Sequence, residues 1–174
     1  MSRKHHSSLK NIILSEWQST AKLSVLICTI LSLFAGVYFA VLSDGFAAYS
    51  AFCLPDGAPP TFFMPFLWII GFILLGASAG AVVSIREKCF LPHKKRGLLL
   101  CAITFALMLI WAPVFFLLEF FFLGVLIICA AITLSLFAVL EFLTMRRLPA
   151  ISMLFFWGWL LFFLYLNLAV LFLN

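Results

Sequence analysis

The sequence predicts an all-α integral membrane protein, a bundle of five transmembrane helices, and three observations predict it. Hydrophobic residues fill 66% of the 174 positions and charged residues only 10%, whereas a soluble domain carries about a quarter charged residues. The apolar residues fall into five runs, each near the roughly 20 residues that a helix needs to cross about 30 Å of hydrocarbon. The eleven Lys and Arg are confined to the segments that flank those runs. A mean hydropathy of +1.25 excludes a water-soluble globule, because a core of that size needs a polar shell that the chain does not contain.

Residues 1–22 form a basic lead-in, in which Leu9, Ile12, Ile13, Glu16 and Trp17 have the spacing of a short helix lying in the membrane interface. The first span is expected at 23–42. It lacks a convincing cleavage site and four more runs follow, so a removable signal peptide is not expected. The second, 61–85, starts after the Pro59-Pro60 stop, and the third covers 97–118. Only Glu119 separates it from the fourth, 120–140, so a very tight turn must join them. The fifth is 149–173. Residues 23–174 therefore read as one membrane domain.

Arg3, Lys4, Lys10 and Lys22 precede the first span, Arg86, Lys88, Lys94, Lys95 and Arg96 lie between the second and third, and Arg146 and Arg147 between the fourth and fifth. The positive-inside rule then places the N-terminus inside and the C-terminus outside, with residues 43–60 and the Glu119 turn facing out. Membrane orientation accounts for the net charge of +5, so no nucleic-acid partner is expected. With no Arg-rich, acid-poor transit segment, a bacterial cell membrane is expected and a mitochondrial membrane is the alternative.

Ion channels and proton pumps use charged groups deep in the bilayer, and no span carries one near its middle. His5, His6 and His93 lie in inside segments, leaving no span histidine for iron or zinc. Serines occur in the spans without His or Asp partners, so no nucleophilic triad forms. The five cysteines contain no CxxC pair. No catalytic group, metal site or required cofactor is expected.

Small residues four apart recur at Gly36 and Ala40, at Gly76 and Gly80, and at Ala102 and Ala106, where helix backbones can approach closely within one bundle or across a homodimer. Aromatic residues make up 17% of the chain. Interfacial belts account for many of them, but Trp111 two residues before Pro113, and Asn167 inside an apolar run, fit a belt poorly. Large rings around an internal cavity would stack on a flat apolar ligand.

These residues resemble the TspO/MBR family, the tryptophan-rich sensory proteins and translocator proteins formerly called peripheral-type benzodiazepine receptors. The family's KPxWxPPxxxFGPVW segment is similar to Leu54-Pro55-Asp56-Gly57-Ala58-Pro59-Pro60 followed by Phe62, Phe63, Met64, Pro65 and Trp68. Its LNxxWxPxFF resembles the run from Leu107 and Met108 through Trp111 and Pro113 to Phe115 and Phe116. Its PYxxWxxFxxxLN resembles the run from Phe155-Phe156 through Trp159 to Leu166-Asn167. The departures are Leu54 and Gly57 for the loop Lys and Trp, Met108 for the third-helix Asn, and Phe155-Phe156 for Pro-Tyr.

The resemblance implies a five-helix membrane bundle, homodimeric as in bacterial relatives, that binds porphyrin or haem in a cavity under the first loop, with sterol-like ligands in animal members. The expected binding residues are Phe52, Pro59, Pro60, Phe62, Phe63, Trp68, Trp111, Phe115 and Trp159, with Asn167 as a polar anchor. The sterol pattern of Leu or Val, then Tyr, then Lys or Arg is absent after Tyr165. A non-enzymatic receptor or carrier is the expected function. A structural or regulatory membrane protein with a degenerate pocket is one alternative, and a porphyrin-degrading enzyme, which in the family depends on the loop Trp replaced by Gly57, is another.

Overall fold

The computed structural model describes residues 9–42 and 45–174, and every regular element among them is helical. Lipid offers the backbone no hydrogen-bond partner, so a chain this apolar must satisfy its amides and carbonyls within each segment. The helices are α1 (Leu9–Ser19), α2 (Lys22–Leu42), α3 (Gly45–Ala51), α4 (Met64–Val83), α5 (Leu91–Ala112), α6 (Phe121–Leu143) and α7 (Arg147–Leu173). Five segments are long and apolar enough to cross a membrane: α2, α4 with its preceding turn, α5 with its extension to Leu117, α6 and α7. Side chains such as Phe34, Phe122, Phe155 and Phe172 project outward from them, exposed, as they must where lipid is the solvent.

Local sequence sets the helix ends. Pro65 and Pro92 occupy first-turn positions of α4 and α5, where the missing amide costs no hydrogen bond. Helix α5 begins at Leu91, ahead of the expected 97, because nothing breaks the helix through Lys94, Lys95 and Arg96. Lys94 uses this placement: its ammonium donates to the carbonyls of Val83 at 2.8 Å and Ile85 at 2.7 Å, capping the end of α4. Past Pro113 the helix widens into a π-turn over Pro113–Leu117, in which the Leu118 amide donates to the Pro113 carbonyl at 3.0 Å. The tight turn follows, with Glu119 in the left-handed region at φ 53°.

The spans pack in the order α2, α4, α7, α6, α5, and α5 returns only lightly to α2 and α4. Glycines permit the closest approach. A Cβ on Gly76 would lie 2.6 Å from Thr29 Cα, and one on Gly80 would lie 2.5 Å from Val25 Cα, so this pair seats α2 on α4 inside the bundle. Ala102 and Ala106 of α5 are exposed. At the basic end α1 docks on α7: the Glu16 carboxylate accepts the amides of Arg147 at 3.2 Å and Leu148 at 2.7 Å, which caps the start of α7. Residues 1–8, with Arg3, Lys4, His5 and His6, lie outside the described residues.

Candidate functional site

At the first-loop end the interior is filled by aromatic rings. Trp68 of α4 stacks on Trp111 of α5, centroids 5.3 Å apart and planes 28° apart, and Trp111 stacks on Phe115 at 5.2 Å and 23°. The π-turn carries Phe115 and Phe116 to adjacent sides of Trp111, Phe116 meeting its edge at 5.4 Å. From α7, Trp159 and Phe163 lie 4.2 Å apart and close the cluster against Trp68 at 6.1 and 5.9 Å. Glycines make the room: a Cβ on Gly71 would meet the Trp159 ring at 2.6 Å, and one on Gly124 would meet Phe115 at 2.7 Å.

Each indole N–H in this cluster has a partner, as buried donors require. Trp68 donates to the Gly36 carbonyl at 3.0 Å, Trp159 to the Leu67 carbonyl at 2.8 Å, and Trp111 to Asn167 Oδ1 at 3.0 Å. Asn167 in turn donates to the Phe163 carbonyl at 2.7 Å. The amide side chain therefore both accepts from and donates to groups of the cluster.

The first loop lies over this cluster. Phe52 stacks on Phe116 and sets its edge against Phe115 and Phe121 at 5.9 and 5.2 Å. Tyr49 donates to the Pro59 carbonyl at 3.0 Å, and burial pushes its phenol pKa up, so it stays neutral. Asn174 clamps Cys53 from the C-terminus: its Oδ1 accepts the Cys53 amide at 2.9 Å while its Nδ2 donates to the Cys53 carbonyl at 3.1 Å. Between the loop and the rings is a void of about 10 Å³, lined by Tyr49, Met64, Trp111, Phe163 and Asn167 among others, with no carboxylate, imidazole or thiol on its wall. Its wall is apolar apart from the Tyr49 hydroxyl and the Asn167 amide, both already engaged in hydrogen bonds.

The fold gathers Phe52, Trp68, Trp111, Phe115, Trp159 and Asn167 into one cluster. Phe62 and Phe63 stand elsewhere, 73% and 45% exposed, paired with each other and with Phe66 on the rim. Pro59 contributes its carbonyl to Tyr49, and Pro60 is exposed ahead of the turn into α4. Sequence reasoning missed Tyr49, Phe116, Phe163 and Asn174 as parts of the site. Phe163 was recoverable from spacing, since it stands four residues from both Trp159 and Asn167 on one helix face; nothing local marks Asn174. Among the described residues no group of three His, Cys, Asp or Glu is placed to hold a metal ion.

Comparison with curated proteins gives no match. The sequence model of the TspO/MBR family, in contrast, matches residues 15–173. That match runs from α1 to the last turn of α7 and takes in all five spans and the aromatic cluster between them. The chain belongs to the TspO/MBR family and is a multi-pass integral membrane protein.

Proposed function

We propose that the protein is a membrane receptor or carrier for a flat hydrophobic ligand, most simply a tetrapyrrole such as porphyrin or haem, taken up among the rings beneath the first loop. One observation carries this reading: Trp68, Trp111 and Phe115 form a near-parallel stack directly under the first loop. A planar macrocycle interacts with such faces through dispersion and offset stacking. The void of about 10 Å³ describes a closed state, so entry requires the segment carrying Tyr49 and Phe52 to lift, breaking the Asn174 clamp and the Tyr49 bond. Local opening of lightly tied segments is the ordinary route into such sites. The same reading has the protein as a homodimer in a bacterial cell membrane, with its basic end inside.

The small size of the void, about 10 Å³, supports a second reading, a structural or regulatory membrane protein whose pocket has collapsed. Enzymatic porphyrin degradation draws no support from the loop, where Gly57 has φ 90° and open surroundings in place of a redox-active ring.

Titration of the purified protein with protoporphyrin IX, followed by tryptophan emission, tests the proposal. Saturable quenching is expected, and Trp111→Ala should weaken it about fivefold or more, the worth of roughly 1 kcal/mol of ring stacking. Trp17→Ala, on α1 and far from the cluster, should leave the affinity unchanged. Parent-like binding by a folded Trp111→Ala protein, or no saturable quenching at all, replaces this reading with the structural one.

A further inference from the structure

We propose that a cavity on the lipid-facing side of the bundle, between the start of α5 and the end of α6, binds an aminophospholipid of the phosphatidylethanolamine type by its zwitterionic headgroup and one acyl chain. The cavity measures about 480 Å³ and is polar at one end and apolar at the other. At the basic end His93 and Arg96 of α5 meet Glu141 of α6, while Leu99, Phe137 and Leu140 line the remainder. The two helices pack antiparallel. Leu99 and Phe137 therefore both lie about one helical turn deeper in the bilayer than Arg96 and Glu141.

The polar end carries both signs of charge, and the packing of the helices sets them side by side. A Cβ on Gly97 would lie 2.5 Å from the Phe142 ring and 3.3 Å from the Glu141 Cβ, so the missing side chain lets α6 close on α5 at this point. The Glu141 side chain is 21% exposed, and its Oε2 bonds His93 Nδ1 at 2.7 Å. Its Oε1 has Arg96 Nη1 at 3.9 Å, beyond hydrogen-bond reach. Among the described residues, Oε1 accepts no hydrogen bond and the Arg96 guanidinium, 69% exposed, donates none. A carboxylate oxygen and a guanidinium, adjacent and each with bonding capacity left, match the two charges of one headgroup: the ammonium donates to Oε1 and the phosphate accepts from Arg96. A choline headgroup has no N–H to give the carboxylate, and a purely anionic one meets its charge.

The apolar wall of the same cavity selects a lipid over a dissolved amine or phosphate. Leu99, Phe137 and Leu140 are 62%, 52% and 52% exposed on segments long and apolar enough to cross the membrane. They continue directly from the polar end, in the direction that leads from headgroup to hydrocarbon. A headgroup held by Arg96 and Glu141 lays its acyl chain in the groove between α5 and α6 and covers these side chains, whereas a free headgroup covers none of them.

The test uses the full chain, delipidated in neutral detergent, with the lipid retained per chain counted by native mass spectrometry. Phosphatidylethanolamine, its N-methyl and N,N-dimethyl forms, phosphatidylcholine and phosphatidylglycerol are offered with identical acyl chains. Retention should be highest for phosphatidylethanolamine and fall with each methylation to about fivefold less for phosphatidylcholine, because each methyl group removes one donor. Phosphatidylglycerol should be retained as weakly as phosphatidylcholine. Glu141→Gln should abolish the preference for phosphatidylethanolamine over phosphatidylcholine, and Arg96→Gln should weaken the retention of both about fivefold. Lys95→Gln removes an exposed charge of α5 outside the cavity and should change neither. The methylation series needs no variant, so it decides the matter even if Glu141→Gln, with its bond to His93 altered, fails to fold. Equal retention of phosphatidylethanolamine and phosphatidylcholine overturns the proposal, as does a preference for phosphatidylglycerol or an equal loss in Arg96→Gln and Lys95→Gln. Displacement of the lipid by millimolar glycerophosphoethanolamine overturns it too, and makes the cavity a site for the free headgroup.

Discussion

The indole nitrogen of Trp111 and the amide oxygen of Asn167 meet at 3.0 Å, joining α5 to α7 across 56 residues of sequence. These helices are not neighbours around the bundle, since each packs mainly on α6, so the bond spans the interior. Asn167→Leu strands the indole N–H among rings and should cost about 1–3 kcal/mol, the penalty of an unpaired buried donor. Asn167→Leu combined with Trp111→Phe removes both partners and should cost less than the sum of the single changes. Denaturation in detergent, read by helical circular dichroism, measures both quantities. Parent-like stability of Asn167→Leu would mean that ring packing alone holds the two helices.

The seat of α2 on α4 gives a second expectation. A Cβ at Gly76 or Gly80 meets α2 backbone, which cannot swing aside like a side chain. Gly76→Ala and Gly80→Ala should each destabilise by about 1–3 kcal/mol, the usual cost of overpacking. Gly158 of α7, where a Cβ meets nothing within 4 Å, is the internal comparison. Gly158→Ala should be neutral or slightly stabilising, because alanine loses less backbone freedom in a helix.

With Gly76 and Gly80 occupied inside the bundle, Ala102 and Ala106 are the small pair left exposed on a span. A homodimer through this face of α5 should dissociate when both are changed to Leu, because close helix approach in lipid depends on small side chains. Sedimentation in detergent or crosslinking in membranes reads the outcome. A dimer that survives the double change contacts its partner elsewhere.

The basic residues predict an orientation that labelling can read. A reporter joined after Asn174 should lie across the membrane from one joined ahead of Arg3, because five crossings separate them. The N-terminal reporter should be on the inside. Labelling of both on one side would remove a span from the bundle.

The number of spans and the tight turn at Glu119 were legible in the sequence, and so was the proline after Trp111 at which the helix widens. Each depends on local chemistry: transfer of about 20 side chains into lipid, a connection one residue long, and a proline without an amide. The grouping of Trp68, Trp111, Trp159 and Asn167 was legible through motif spacing. What the sequence did not determine is which rings face one another. Within the membrane the stretches of α4, α5 and α7 are apolar on nearly every side, so periodicity cannot orient them as it orients an amphipathic helix in water. Their rotation is decided by close fits between helices, Gly71 beneath Trp159 and Gly124 beneath Phe115. Those fits turn Phe163 inward, while the turn into α4 leaves Phe62 and Phe63 on the rim. The closing of the loop by Asn174 on Cys53 is also tertiary, because it joins positions 121 residues apart that become neighbours only once the four crossings between them have brought the C-terminus back to the first-loop end.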